Sequence, residues 1–539
     1  MELSSVSFRR LVPACAAAAA VVLVVSCSSD VEPSAEAVGR VGELPAAAAQ
    51  IMDKPAYRGA RWIYQVADQD TGEVLFSSRP DELAFTGSTA KLFTVGTLFD
   101  SRGTDAKLTT PVYTTGPVAD GTLDGDLVLV GSGDLTFGGR EASAGKAVDA
   151  FSATTIDHVY ADIAPNGAVP AGDPLAGVNR LAAQVAASGI RQVNGDVLVD
   201  DRLWQPYTAQ EGPVPPIFVN DNLLDITVDP GAVGATAGVT ASPATAAYRT
   251  VSEVTTKPGT DVSLAVTADE HDPRLLHVSG EIGADAGKRL TIYRVPDAAA
   301  WARTLFTEAL ARAGVAVSGS AASGSATSGS AGPALPAPDS YGKAVATYVS
   351  PPLSVLAGMV LRTSYNTGAN AFLCLNAVQA GATDCTDGLK STRTLAGKAG
   401  IDDDALILVD GQGGDPASAS PATMTRWIRF ADGQPWGPAL REDLPILGET
   451  GTLAANGLQS PAKGKVRAKT GTSAHVDPAT GRALFNVQSM AGHMTSKDDR
   501  RLVFDVLVSG AVFDDPVSGV TQVGDDVADV AAAFQQAAQ

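Results

Sequence analysis

The chain has 539 residues, too many for one compact core, and its 45% hydrophobic and 18% charged residues describe a folded protein of two to four domains. A formal net charge of −20 with no basic stripe argues against nucleic acid as a partner, because phosphate contacts need clustered Lys and Arg. Five scattered histidines and no CxxC or HExxH spacing give no ligand set for a metal, and no cofactor is expected.

Arg9 and Arg10 precede an apolar run, LVPACAAAAAVVLVVSC, too short to span a membrane comfortably, which reads as a secretion signal over residues 1–27. Its end, Val24-Val25-Ser26-Cys27, resembles a bacterial lipobox, which implies cleavage before Cys27 and lipid attachment to its thiol. An uncleaved anchor and plain secretion are the alternatives. All three put the bulk of the chain outside the cytoplasm. Residues 28–49, rich in Ala, Ser, Glu and Pro, read as a tether. With Cys15 in the signal and Cys27 the lipidation candidate, Cys374 and Cys385 remain. An oxidising location permits a disulfide between them, and two free thiols are the alternative.

Next comes RWIYQVADQDTGEVLFSSRP: Trp62, Tyr64 and Val66 alternate, Asp70-Thr71-Gly72 turns, and Val74-Leu75-Phe76 resumes, a β-hairpin. From Ser88, the residues Leu92, Val95 and Phe99 recur at helical spacing, so Ser88 opens a helix with Lys91 one turn along on the same face. From about Pro111 to Leu290 the texture changes to short β-like runs, among them GDLVLVGSGD, NGDVLVDD and NLLDITVDPG. A helix is expected around Asp297 to Ala313, then a low-complexity linker over 319–340. SPPLSVLAGMVLRTSYNTGANAFLCLNAVQAG is helical in pattern with a break near Thr363 to Thr367, and VRAKTGTSA, LFNVQSMAGHM and RLVFDVLVSGA read as strands before a last helix from Val527 to Ala538. The simplest organisation is an α/β (α+β) domain over 50–112 and 342–539, split by a β-rich insertion at 113–341 of one or two subdomains.

Ser-x-x-Lys alone says little, since Lys146, Lys343 and Lys463 also follow a serine by three positions. A serine needs a base to become a nucleophile, and no G-x-S-x-G elbow is present to supply a histidine. A lysine can serve if desolvation and a second cation lower its pKa from about 10.4. Ser364-Tyr365-Asn366 and Lys469-Thr470-Gly471-Thr472 supply hydroxyls and that cation, and each motif occurs once, one at a helix break and one entering a strand.

These three motifs, in this order, resemble those of penicillin-binding proteins and class A β-lactamases. The wide gap from Ser88 to Ser364, with GSGDLTFGG, GDVLVDD, FVNDNLLDITVDPG, VDGQGG and LPILGETGTLAANGLQSPAKGKVRAKTGT, is similar to the D-alanyl-D-alanine carboxypeptidase/endopeptidase family of low-molecular-mass penicillin-binding proteins (serine peptidase family S13) over about residues 50 to 535. The resemblance implies a transpeptidase-like fold and the cleavage of peptidoglycan stem peptides through an acyl-enzyme on Ser88, with β-lactams as covalent inhibitors. It implies Lys91 as proton acceptor, Ser364 as relay to the leaving nitrogen, and Asn366 as holder of the acyl side. Lys469 would attract the substrate carboxylate and keep Lys91 neutral, Thr470 and Thr472 would bind that carboxylate, and the amides of Ser88 and Thr472 would form an oxyanion hole beside Gly471. Four positions depart from the family pattern: Tyr365 stands where Asp is frequent, Thr86-Gly87 replaces Pro-Ala, and Gln412 replaces the serine of D-G-S-G. A catalytically weak wall-binding or sensor protein and a β-lactamase are the competing readings.

Overall fold

The computed structural model describes residues 39–138, 140, 149–164, 166–319 and 334–539; the signal, Cys27, the first half of the tether and most of the 319–340 segment lie outside the described residues. The alternating hairpin forms as read: β1 (Arg61–Asp68) pairs antiparallel with β2 (Val74–Ser78). The C-terminal runs supply β3 (Val466–Val476), β4 (Ala483–Thr495) and β5 (Arg501–Ser509), and the antiparallel sheet runs β2-β1-β5-β4-β3. Strands from the two ends of the chain therefore share one sheet, and β3 is its edge.

Strand alternation sends side chains to two cores. Tyr64, Val66, Met490, Leu502, Phe504, Val506 and Val508 bury against the C-terminal helix Pro516–Ala537. That helix starts earlier than expected, because Asp515 caps its first turn by accepting from Val517 N and Ser518 N, with Pro516 at the first helical position. Ala67, Ala491 and Val503 face a helical layer on the other side, where Phe93 stacks on Trp427 with ring centroids 4.6 Å apart. The helix Lys91–Arg102 lies buried at the heart of that layer. The predicted helix break is real: Leu353–Arg362 ends before Asn366–Gln379 begins.

Two further expectations change. The tether reading fails from Val41 onward, since Val41 exchanges both backbone hydrogen bonds with Ser77 and the helix Ala46–Met52 packs Ala48 on the sheet's C-terminal core. Ala48 is thus a packing contact rather than part of a flexible spacer, and Lys54 and Tyr57 follow to clamp Asp526 at 2.5 and 2.6 Å. The insertion also holds a helix absent from the sequence reading, Ala176–Ala187, which buries Val178, Leu181, Ala182 and Val185 at helical spacing. The rest of that segment is a set of small sheets around a further core that Val112, Ala346 and Tyr348 share, with Trp301 and Phe306 of the helix Ala298–Arg312 in it. Strands Thr109–Thr114 and Ala344–Val349, which lead into and out of it, pair antiparallel with each other.

Cys374 and Cys385 are bonded and buried, closing a loop between two helices. A loop of this length gives about 2–3 kcal/mol by the chain-entropy argument. Cys374→Ala/Cys385→Ala is expected to lower Tm by several degrees, measured by calorimetry against the oxidised wild type; an unchanged Tm would remove the bridge as a contributor.

Candidate active site

Ser88 lies on a short 3-10 turn, Gly87–Ala90, which runs directly into the helix that begins at Lys91. One helical turn then places the lysine under the serine, with Lys91 Nζ donating to Ser88 Oγ at 2.6 Å. Lys91 is fully buried and also reaches Asn366 Oδ1 at 2.6 Å, the Gln412 carbonyl at 3.3 Å and Ser364 Oγ at 3.5 Å. From the edge strand β3, buried Lys469 donates to the same Ser364 Oγ at 2.9 Å and to the Thr470 carbonyl at 2.9 Å. Ser364 thus bridges two lysines. The structure brings together Ser88, Lys91, Ser364, Asn366 and Lys469 in one hydrogen-bonded group, with Thr470, Gly471 and Thr472 continuing along the strand.

Burial lowers the Lys91 pKa to about 7, against the opposing pull of the Glu211 and Asp410 carboxylates. Lys469 is pushed well below its ordinary value, first by burial and then by repulsion from Lys91. In the free site burial thus moves both amines toward neutrality, and Glu211 and Asp410 oppose this at Lys91.

Two glycines allow the strand and the serine turn to meet. A Cβ on Gly87 (φ +48°) would lie 2.7 Å from Thr472 N, and one on Gly471 would lie 3.1 Å from Ser88 N, 2.3 Å from the Thr86 carbonyl and 2.4 Å from Ser489 Oγ. The Ser88 and Thr472 amides sit on either side of this contact. Gly471→Ala is expected to push the strand back and slow acylation by about 100-fold, the usual worth of one oxyanion donor. The rate of fluorescent-penicillin labelling checks it; wild-type labelling would show that the contact is slack.

Below the site, Asp410 Oδ1 accepts from the amides of Gln412, Gly413 and Gly414, folding 410–414 into a tight loop. The loop turns the Gln412 carbonyl to Lys91, while the Gln412 side chain takes Asn370 Nδ2 at 2.7 Å and faces Gln210 at 3.4 Å. Sequence reasoning missed several contacts here. Glu211, on the hairpin Thr208–Ala209/Gly212–Pro213, accepts from Asn366 Nδ2 at 2.5 Å, so an acid from the insertion holds the amide expected to hold substrate. Thr452 shares a hydrogen bond with Thr470 at 2.8 Å, and Thr472 Oγ1 donates to Gln488 at 2.7 Å. Thr452 lay inside a quoted family segment; nothing local marked Glu211.

The D-Ala-D-Ala carboxypeptidase 3 (S13) family profile matches residues 44–529. The chain belongs to that family. It is a serine-type hydrolase, a D-Ala-D-Ala carboxypeptidase, and acts outside the cytoplasm. A D-alanyl-D-alanine carboxypeptidase of Actinomadura sp. (strain R39) is 28% identical to it over 457 residues, covering 80% of this chain and 76% of that one. The crystal structure of penicillin binding protein 4 (dacB) from Haemophilus influenzae superposes with a TM-score of 0.66 at 17% identity, over 90% of this chain and 99% of the other. The same protein complexed with a novel β-lactam gives 0.63 at 18% identity, over 89% and 98%. At these identities the structural likeness is one of fold. Among the described residues no group of His, Cys, Asp and Glu could hold a metal ion.

Proposed function

We propose that this D-Ala-D-Ala carboxypeptidase cleaves the terminal peptide bond of peptidoglycan stem peptides through an ester on Ser88, and that β-lactams acylate the same oxygen. The observation that carries this is the Lys91–Ser88 contact of 2.6 Å, with Ser364 bridging Lys91 to Lys469. Ser88 Oγ attacks the carbonyl carbon as its proton passes to neutral Lys91. The oxyanion is received by the Ser88 and Thr472 amides. The C–N bond breaks as Lys91, through Ser364, returns the proton to the leaving nitrogen, and water hydrolyses the ester to regenerate the serine. The leaving amine is D-alanine in carboxypeptidase action or a cross-linked chain in endopeptidase action.

Substrate also resolves the lysine pair. Its terminal carboxylate, bound by Thr470 and Thr472, favours the proton on Lys469, and repulsion then favours neutral Lys91. Asn366 takes the acyl-side amide once Glu211 gives way. A division at 113–341 fits this reading, because most of that segment's buried residues gather in a core apart from the sheet and it sends Glu211 and Gln210 toward Asn366 and Gln412.

The test is incubation of the chain from Ser28 onward with a D-Ala-D-Ala-terminated peptide and with fluorescent penicillin. Release of D-alanine and one covalent label per molecule support the proposal; a folded protein doing neither sinks it. The lipobox-like Val24-Val25-Ser26-Cys27 supports anchoring through a lipid on Cys27. Cys27→Ser should then move the full chain from the membrane fraction to the soluble fraction, and unchanged partition would reject the anchor.

A further inference from the structure

The insertion grips the second motif at a point the reaction scheme leaves unused. Tyr160 ends the short 3-10 turn His158–Tyr160, and its hydroxyl donates to the Ser364 carbonyl at 2.7 Å. Ser364 is a residue with a Cβ held in the left-handed region, at φ +59°. Such a conformation persists only where the surroundings over-determine it.

The turn that carries Tyr160 is itself fixed by buried charge. Arg140 donates to Asp157 at 2.8 Å and to Asp221 at 2.6 Å. His158 lies between Asp225 at 2.7 Å and Asp221 at 2.9 Å. Arg294 donates to the Val159 carbonyl at 2.8 Å and pairs with Asp162 at 2.9 Å. The Arg140 guanidinium also stands 5.9 Å from the ring centroid of Tyr365, the residue after Ser364. The second motif is thus held on both sides of the Ser364–Tyr365 peptide by groups of the insertion.

We propose that Tyr160 is a positioning residue for the D-Ala-D-Ala carboxypeptidase reaction: its hydroxyl holds the Ser364 peptide in its left-handed turn and so keeps Ser364 Oγ between Lys91 and Lys469. The inference rests on the reading of Ser364 as the proton relay. If the Ser364 peptide relaxed toward negative φ, the Cα–Cβ bond would swing away from the gap between the two amines. Ser88 and Lys91 would stay in place. The effect therefore belongs to the chemical step rather than to substrate binding.

The test is a double-mutant cycle in the chain from Ser28 onward, using Tyr160→Phe, Ser364→Ala and the pair. Tyr160→Phe keeps the ring and its packing, and the Tm of each variant is recorded. The readouts are the rate of fluorescent-penicillin acylation, and kcat and KM on a D-Ala-D-Ala peptide. Tyr160→Phe is expected to lower acylation and kcat by about tenfold or more, with KM within about twofold, and to add nothing in the Ser364→Ala background. A tyrosine that only docks the insertion would lower both backgrounds by the same factor, and that result overturns the proposal. So does a wild-type rate for Tyr160→Phe while Ser364→Ala is slow; this leaves the site reading intact. A wild-type rate for Ser364→Ala would instead overturn the relay reading, and the proposal with it.

Discussion

Ser88→Ala is expected to abolish covalent penicillin labelling and to lower D-alanine release by at least about four orders of magnitude. The size follows from the arrangement rather than from the residue type. Ser88 Oγ is the hydroxyl in contact with Lys91 at 2.6 Å, beside the gap between Gly87 and Gly471, where the Ser88 and Thr472 amides can receive an oxyanion. Ser364, the other hydroxyl near Lys91, stands at 3.5 Å and is already held by Lys469. Losing Ser88 therefore removes the atom proposed to form the bond, while Thr470, Thr472 and Lys469 are expected to stay in place. Intact-mass spectrometry after penicillin treatment reads the result directly. A folded Ser88→Ala protein that still gains one penicillin would move the nucleophile elsewhere.

The second large effect concerns the base. Lys91→Met should slow acylation by about 10²- to 10⁴-fold, the range for losing a positioned proton acceptor. It should also change the form of the pH dependence. Lys91 accepts a proton only when neutral, and its pKa is lowered to about 7, so the wild-type acylation rate is expected to rise from pH 6 to pH 8 and then level. In Lys91→Met that limb disappears. Glu211 pulls the Lys91 pKa upward, so Glu211→Gln should move the limb to more acid pH. Acylation rates across pH 5 to 9 for the three proteins decide this. A limb that stays put in Lys91→Met would belong to another group, with Lys469 the first to examine.

The clustering of Ser88, Lys91, Ser364, Asn366 and Lys469 was largely legible because they are carried by three short motifs whose spacing is local. Ser88 and Lys91 are linked by one helical turn, and Lys469 to Thr472 are consecutive positions on one strand. The central hairpin and the broken helix were legible for the same reason, since period-2 and period-3.6 patterns are short-range. What escaped was set by distant packing. Glu211 occupies a two-residue turn with no pattern of its own, and becomes part of the site only because the insertion folds back on the catalytic core. Tyr160 lies 204 positions before the carbonyl it holds. The alanines after Pro45 look like a spacer until the C-terminal helix is there to receive Ala48. The helix Ala176–Ala187 was hidden in a region read as short strands, although Leu181, Ala182 and Val185 carry its spacing. The lysine electrostatics also needed coordinates, because the balance between the two amines depends on which one meets Glu211 and Asp410.

The pairing of Val41 with Ser77 sets a direction for the whole molecule. Ser77 belongs to β2, and β2 and β3 are the opposite margins of the five-strand path. At about 4.8 Å per strand, Val41, one step outside β2, lies roughly 24 Å across the sheet from β3, the strand that carries Lys469. If Cys27 carries a lipid as proposed, tension on the chain enters the fold at the margin far from Lys469, and the strand that carries Lys469 stays clear of the point of pull.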